Sequence, residues 1–545
     1  MSILYIHNLR KSVKLETDEE VYTYYLNTGD VSGPRNVNLN DNKRLNEIAL
    51  EIRGKYSDFI YSLNNIFIKN NLILDKKLSL YFISDLSVKR TELFDTYVSI
   101  CHILLLKEKL KGVSFEKIVT LGCSEKFIES LKSVFCYKGI ECRQTISSVR
   151  YNFLRNYIFS AYFFLDAFMK RIFLGLIRYH NIMRGEVKRL FFTIFPLHLN
   201  EEGGEQKYGS LVKDTDAYLV SIITDGMHQW RTLMQYQKDI RILKKLQTVR
   251  KIILLDKEVT PREIVMGYFN MISLGRKKKI LRKSKYVFCN INITKFIQYE
   301  IDISFKRIPR LLMYKNALRR IFNNSDIERF YYYLHEYSFG RFLSFSLGSY
   351  FPEIKRIGFQ HGPASWRKLL YALAQGETSD DRDYLNHVPM PNMVLCEDDL
   401  SKEIYTSSGY HNVETMKEVP RLCYLKDIKR EKVRENTVLI ACGLHDGPLI
   451  FAALKNEIIS NKRKKYIIKF HPKTNLRTTI NEIQTLNLEN LEIGYNHISH
   501  YLNFVSEVIS SYSSVGYEAY LLGIKSRVLK LNNKINESPI LDLMS

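Results

Sequence analysis

The chain has 545 residues, 45% hydrophobic and 26% charged, with a formal net charge of +23 and eight cysteines. That length exceeds what one hydrophobic core serves, so two or three α/β domains are expected and a disordered chain is excluded. Eight scattered cysteines without a CxxC exclude a zinc knuckle or a disulfide framework, and the positive charge points to anionic partners: nucleotides, nucleic acid or the inner face of a membrane.

Met1 to Ile6 lacks the basic start, long apolar stretch and cleavage site of a secretory leader and reads as a first strand. A cytoplasmic protein is therefore expected. Strands are predicted at 78–82, 117–121 and 140–145, with helices over 92–109 and from a Ser124 cap to about residue 137. Residues 1–150 thus form a Rossmann-like α/β region. Residues 153–179 are the most apolar stretch, but Arg155, Asp166, Lys170, Arg171 and Arg178 interrupt the roughly 20 apolar residues that a spanning helix needs. The expectation is an amphipathic helix, buried between domains in preference to lying in a membrane interface. Strands follow at 189–195 and 217–223, then a helical, basic stretch over 229–343. Its runs Arg276 to Lys279 and Arg282-Lys283 read as solvated faces able to touch lipid head groups. With a strand at 355–359, residues 151–376 complete an N-terminal domain.

Residues 377–391 are polar, carry Glu377, Asp380, Asp381 and Asp383, and are predicted to be an interdomain linker. From 392 to 545 helices alternate with strands at 393–396, 438–442, 466–470, 491–493, 507–511 and 527–531. Such alternation builds a parallel sheet covered on both faces. The expected fold class is α/β: two Rossmann-like domains whose parallel sheets face each other across a cleft.

Two of these strand ends carry phosphate-binding chemistry. One runs through Lys469 and Phe470 into His471-Pro472, where the proline disfavours helix and holds the imidazole extended beyond the sheet. The other runs through Ser510 to Ser513 and Ser514, whose hydroxyls, free N–H groups and helix dipole form an anion site. Glu518, one turn later, is placed to accept hydrogen bonds from ribose hydroxyls. The loop from Ala441 to Gly447 contains Gly443, as a backbone approaching a ligand closely requires. Taken singly, these residues read first as a turn histidine, plain helix caps, a solvent-facing glutamate and an ordinary loop; it is their combination on one sheet that points to a phosphate. Candidate acids and bases follow the N-terminal strands: Glu202 in Glu201-Glu202-Gly203, Asp225 with His228 three residues on, and His361 held by Gly362-Pro363.

Lys469-Phe470-His471-Pro472 together with Ser513-Ser514 resembles the His-Pro and Ser-Ser motifs of bacterial sialyltransferases and Kdo transferases, GT-B glycosyltransferases that use CMP-activated acidic sugars. The stretch from Leu78 to Arg90 and Ile357-Gly358-Phe359-Gln360-His361-Gly362 are also similar to a group of bacterial surface-carbohydrate biosynthesis proteins. The resemblance implies a GT-B fold with a C-terminal donor domain, in which His471, Ser513 and Ser514 hold the donor phosphate. Lys469, Pro472, Glu518 and Gly443 complete the expected donor site. That family draws its general base from an acidic pair followed by glycine, which Glu202 matches, whereas Asp225 has the better strand-end position.

The implied reaction moves a Kdo-like or sialic-acid-like sugar from a CMP donor to a glycan or glycolipid acceptor of a surface polysaccharide, such as a capsule, O-antigen or lipooligosaccharide. The nucleotide sugar is a substrate, and neither a metal nor another cofactor is expected. Peripheral association with an anionic membrane surface is expected as well. Transfer from a UDP-sugar, or of a polyol phosphate, is the alternative within the fold. A basic nucleic-acid-binding protein is the alternative outside it, disfavoured because no motif interleaves basic and aromatic residues.

Overall fold

A computed structural model of the chain describes residues 2–8, 13–14, 21–27, 31–32, 36–136, 139–143, 149–181, 188–205, 207–212, 217–223, 232–323, 326–334, 337–430, 432–471, 474 and 477–544. Three parallel sheets carry the architecture. The first orders its strands Asn36–Asn38, Val21–Tyr25, Ile3–His7, Lys117–Leu121 and Gly139–Arg143. The second runs Ile252–Leu254, Ala217–Ile223, Arg189–Phe195, Arg329–Tyr333, Lys355–Phe359, Met393–Cys396 and Val413–Thr415. The third runs Leu491–Ile493, Lys465–Lys469, Arg434–Ala441, Val505–Ser510 and Lys525–Val528. Numbered within its own sheet, each has the order 3-2-1-4-5, and the second continues to 6 and 7. Chain direction across the sheet therefore reverses between the first and fourth strands. In open α/β sheets that reversal opens a crevice above the carboxyl ends of the two strands, where ligands bind.

The α/β class and its parallel sheets match the sequence reading, and the strands show why. In Arg189–Phe195 the six residues after Arg189 are all buried, the continuous apolar pattern of a strand covered on both faces. Helices start where their caps dictate: Thr232 with Gln235, and Thr260 with Glu263, form reciprocal capping boxes that satisfy otherwise orphaned N–H groups.

Strand membership differs from expectation at one joint. Met393–Cys396 belongs to the second sheet, pairing with Lys355–Phe359, so the third sheet begins only at Arg434. Residues 377–391 are a packed crossover within the second sheet, not a linker between sheets. Glu377 is fully buried against Lys89 at 3.2 Å, and Tyr384 and Val388 are in the core. Polarity misled because Glu377 is a buried, paired charge. The 229–343 stretch, expected to be helical, also contains Ile252–Leu254 and Arg329–Tyr333. Residues 78–82 pair only at Leu78–Ser79, against Ile73–Leu74, and Tyr81 and Phe82 are buried within a turn.

The apolar segment forms the helix Val149–Leu176. It is not enclosed between domains: Phe163, Phe164, Ala167 and Leu174 are buried, whereas Ile158, Leu165, Ile172 and Leu176 are exposed. Among the described residues, no helix is long and apolar enough to cross a membrane.

Each sheet's unit touches both others. The first and third are zipped by asparagines: Asn40 Nδ2 donates to Asn533 Oδ1 (2.6 Å), Asn533 N to Asn42 Oδ1 (3.0 Å) and Asn536 N to Asn46 Oδ1 (2.8 Å). An amide side chain offers a donor and an acceptor, so it can read a neighbouring backbone as another strand would. The first and second share the Lys89–Glu377 ion pair. The second and third meet at Arg421, whose Nε and Nη2 each donate to Glu397 at 2.6 Å while Nη1 donates to Glu518 at 3.0 Å.

Candidate functional site

The crevice of the third sheet lies above Arg434–Ala441 and Val505–Ser510. After the first of these strands the chain turns into the helix Gly447–Ser460 with Asp446 at its N-cap, 1% exposed and accepting a hydrogen bond from the Ser511 hydroxyl. Burial raises the Asp446 carboxyl above the ordinary range, against that hydrogen bond. The Tyr512 hydroxyl accepts from His445 N–H at 3.3 Å, and a Cβ at Gly443 would meet the Tyr512 ring at 2.8 Å. Gly443 is therefore glycine to seat Tyr512. The adjacent strand, Lys465–Lys469, leads to His471. Thr474 N donates to His471 O and the Thr474 hydroxyl to Leu444 O, both at 3.0 Å. Three strand-end loops are thus tied together along one sheet edge. On the same edge Ser513 Oγ accepts from Val515 N–H at 3.4 Å and Ser514 opens the helix Ser514–Leu521. His471, Ser513 and Ser514 all remain partly exposed.

The crevice of the second sheet lies above Arg189–Phe195 and Arg329–Tyr333. Beyond the cis Phe195-Pro196 peptide, His198 folds back with its N–H on Ile194 O at 2.8 Å. Its ring lies 4.7 Å from that of Tyr333 and 6.1 Å from that of His361, while Tyr333 and His361 are 5.1 Å apart. The Tyr333 hydroxyl donates to Glu205 Oε1, which also accepts from Thr193 at 3.2 Å, and Oε2 accepts the Lys207 N–H at 2.8 Å. Burial raises the Glu205 carboxyl, with these hydrogen bonds opposing. Glu205 therefore fixes Tyr333, and Tyr333 supports the two imidazoles. Gln360 pins the loop carrying His361: its Nε2 donates to Gly362 O (2.6 Å) and Ser401 (3.0 Å), and its Oε1 accepts Glu397 N–H (3.0 Å).

The two sheet edges meet. Glu397 and Asp398, directly after Met393–Cys396, are bound respectively by Arg421 and by the Tyr517 hydroxyl. Tyr517 and Glu518 lie on the helix that Ser514 opens. The first unit contributes Thr91, which donates to Glu537 at 2.9 Å. Lys368 Nζ donates to Pro363 O at 3.0 Å; burial lowers its ammonium, and Glu537, Glu92 and Glu397 oppose that. Glu537 is pushed up to about 7 by burial, and its charge also reaches Tyr512. A carboxyl raised in this way binds its proton more tightly in the folded state than in the unfolded one. Its contribution to stability is full below about pH 4.5 and is lost as pH rises through about 7. The unfolding midpoint of the wild type relative to Glu537→Gln is therefore expected to fall across that window. A difference that stays flat with pH would mean that Glu537 titrates as an ordinary carboxyl.

The remaining sequence candidates fall in different places. Asp225, His228 and Pro472 lie outside the described residues. Glu202 is exposed in the turn after Arg189–Phe195, its N–H on Asn200 Oδ1 at 3.1 Å; Glu205, three residues on, is the acid that reaches the sheet edge. Glu518 does not have the free carboxylate expected for a ribose, because Arg421 holds Oε1 and the Tyr424 hydroxyl holds Oε2 at 2.6 Å. Lys469 is half-buried, which lowers its ammonium, and lies 5.9 Å from the Tyr501 ring centre. Asp446, His198, Glu205, Tyr333, Lys368 and Glu537 escaped the sequence reading. His198 follows a strand end just as His361 does, so that signal was present; nothing around Glu537 marks it. Among the described residues no group of three or more His, Cys, Asp or Glu is placed to hold a metal ion.

No family model matches the chain, and no curated protein does. Among solved structures it is similar to a putative UDP-N-acetylglucosamine 2-epimerase from Listeria monocytogenes, with a TM-score of 0.31 and 10% sequence identity over 64% of this chain and 81% of that one. A likeness of that extent says nothing of this chain's reaction.

Proposed function

We propose that the protein is a glycosyltransferase that binds a nucleotide sugar on its third sheet and passes the sugar to an acceptor held toward the second. The observation that carries this reading is the hydrogen-bonded convergence of the loops at Leu444 to Asp446, His471 to Thr474 and Ser511 to Ser514 on the switch-point edge of a 3-2-1-4-5 sheet. His471 and the hydroxyls of Ser513 and Ser514 hold the donor phosphate. As the glycosidic bond breaks, negative charge gathers on that phosphate, and these donors stabilise it together with the helix dipole.

The favoured donor is a CMP-activated acidic sugar, supported by the His-Pro and Ser-Ser pair. The acceptor hydroxyl is deprotonated from the opposite side, where His361 stands over Tyr333; Asp225 and His228 are candidates by sequence position alone. Glu202 keeps the motif match, whereas Glu537, raised to about 7, is the junction carboxyl tuned to exchange a proton near neutral pH.

CMP at a hundred times its dissociation constant is expected to stabilise the protein by about 2.7 kcal/mol, read as a raised unfolding midpoint, with CMP release following when the right CMP-sugar and acceptor are supplied. Stabilisation by UDP and not by CMP would replace the CMP donor with a UDP-linked one on the same edge.

A further inference from the structure

Three helices build a surface whose chemistry is inverted for one facing water. Val149–Leu176 packs on Pro261–Lys283, with Phe164 so close to Gly267 that a Cβ there would come within 2.7 Å of its ring, and with Tyr268 edge-on at 5.9 Å. On its other flank Phe173 stacks on Tyr236 of the helix Leu233–Leu246 at 5.8 Å.

The outward stripe of the first helix is apolar. Ile158, Leu165, Ile172 and Leu176, at intervals of seven, seven and four residues, are 51%, 53%, 50% and 70% exposed. That spacing places them along one face. Among the described side chains of this helix, three charged ones are turned inward: Asp166 and Lys170 are buried and paired at 2.9 Å, and Arg171 donates to Lys257 O at 2.6 Å. Val265, Met266 and Phe269 extend the exposed apolar surface on the second helix, and Leu233 and Met234 extend it on the third. The second helix also exposes Arg262, Arg276, Lys279 and Lys283. Its one carboxylate, Glu263, is held by Arg320 at 2.7 Å.

We propose that this face seats the protein on an anionic bilayer surface, the apolar stripe entering the acyl boundary while Arg262, Arg276, Lys279 and Lys283 meet lipid phosphates. An apolar face bordered by basic residues suits an anionic lipid interface, where burial and charge act together. A second copy of the chain fits poorly: a two-fold contact would set these cations against themselves, and the exposed face of the second helix offers no carboxylate to pair with them. The surface stands independently of the transfer reaction, since binding to lipid is read without turnover.

Flotation of the full chain with vesicles tests it. The wild type is expected to float at low salt with mixed phosphatidylglycerol and phosphatidylcholine, to lose binding as salt rises, and to stay behind with phosphatidylcholine alone. Replacing Arg276→Gln and Lys279→Gln together should lower binding about thirtyfold, roughly fivefold for each basic residue. Ile172→Ser with Phe269→Ser should lower it as strongly while leaving the melting curve unchanged, since both side chains are exposed. The proposal is overturned if the wild type fails to float with anionic vesicles at low salt or if the variants float as well as it does. It is equally overturned if sedimentation shows a dimer that the serine variant dissolves.

Discussion

Arg421→Ala is expected to destabilise the joint between the second and third sheets by about 3–5 kcal/mol, because it leaves two buried carboxylates facing one another. The Glu397 side chain is fully buried and that of Glu518 is 9% exposed, and Arg421 supplies three of the hydrogen bonds that neutralise them. Burial opposes the guanidinium charge, yet Glu397 and Glu518 hold its pKa above the ordinary value. Units this size do not unfold in one step, so the loss should appear first as faster amide exchange in residues 397–407 and 514–521. Adding Glu397→Gln and Glu518→Gln should restore most of it. A triple variant no better than Arg421→Ala would mean that the packing of the arginine stem, and not its charge, holds the joint.

His471→Ala is expected to lower sugar transfer by about a hundredfold to a thousandfold, the loss typical when one donor to a developing anion is removed. The measurement is CMP release from the CMP-sugar, alongside an unfolding curve. His471 is partly exposed beyond the end of its strand, so the curve should not move. Ser513→Ala with Ser514→Ala should act in the same direction and also weaken stabilisation by CMP. Full transfer by His471→Ala would remove the phosphate-holding role and with it the proposed reaction.

Alternating apolar runs and turn residues made the sheets legible, because a parallel strand covered on both faces leaves a short hydrophobic block bounded by turn residues. The edges of that reading failed for specific reasons. Arg329–Tyr333, with the sequence Arg-Phe-Tyr-Tyr-Tyr, fits a strand and a buried helix equally well until its neighbours Arg189–Phe195 and Lys355–Phe359 are in place. Glu377 looked like a linker residue because a charge in sequence carries no mark of its partner, and Lys89 lies 288 positions away. The strand-end positions of His471, Ser513 and Ser514 were legible since each residue sits beside the strand that presents it. The opposing side was legible only in part: His361 follows its strand directly, but the roles of Glu205 and Tyr333 depend on a contact 128 positions apart. Glu537 is raised by burial, with Glu92 adding to that and Thr91 and Lys368 opposing it, a setting made only where segments far apart in the chain come together.

The asparagine zip gives the molecule a mechanical property that a two-lobed enzyme lacks. Asn42 and Asn46, in the first turns of the helix Asn42–Ser62, grip Asn533 and Asn536, so the segment after the third sheet is fastened to the first unit and three bodies form a closed triangle. A pair of lobes swings on one hinge, but a triangle is braced. Moving the third unit away from the second must also slide the amide zip or load the contacts of the first. In the proposed transfer, admission of an acceptor and departure of a product would be geared to the far corner of the molecule, with the segment around Asn533 and Asn536 as the tie rod.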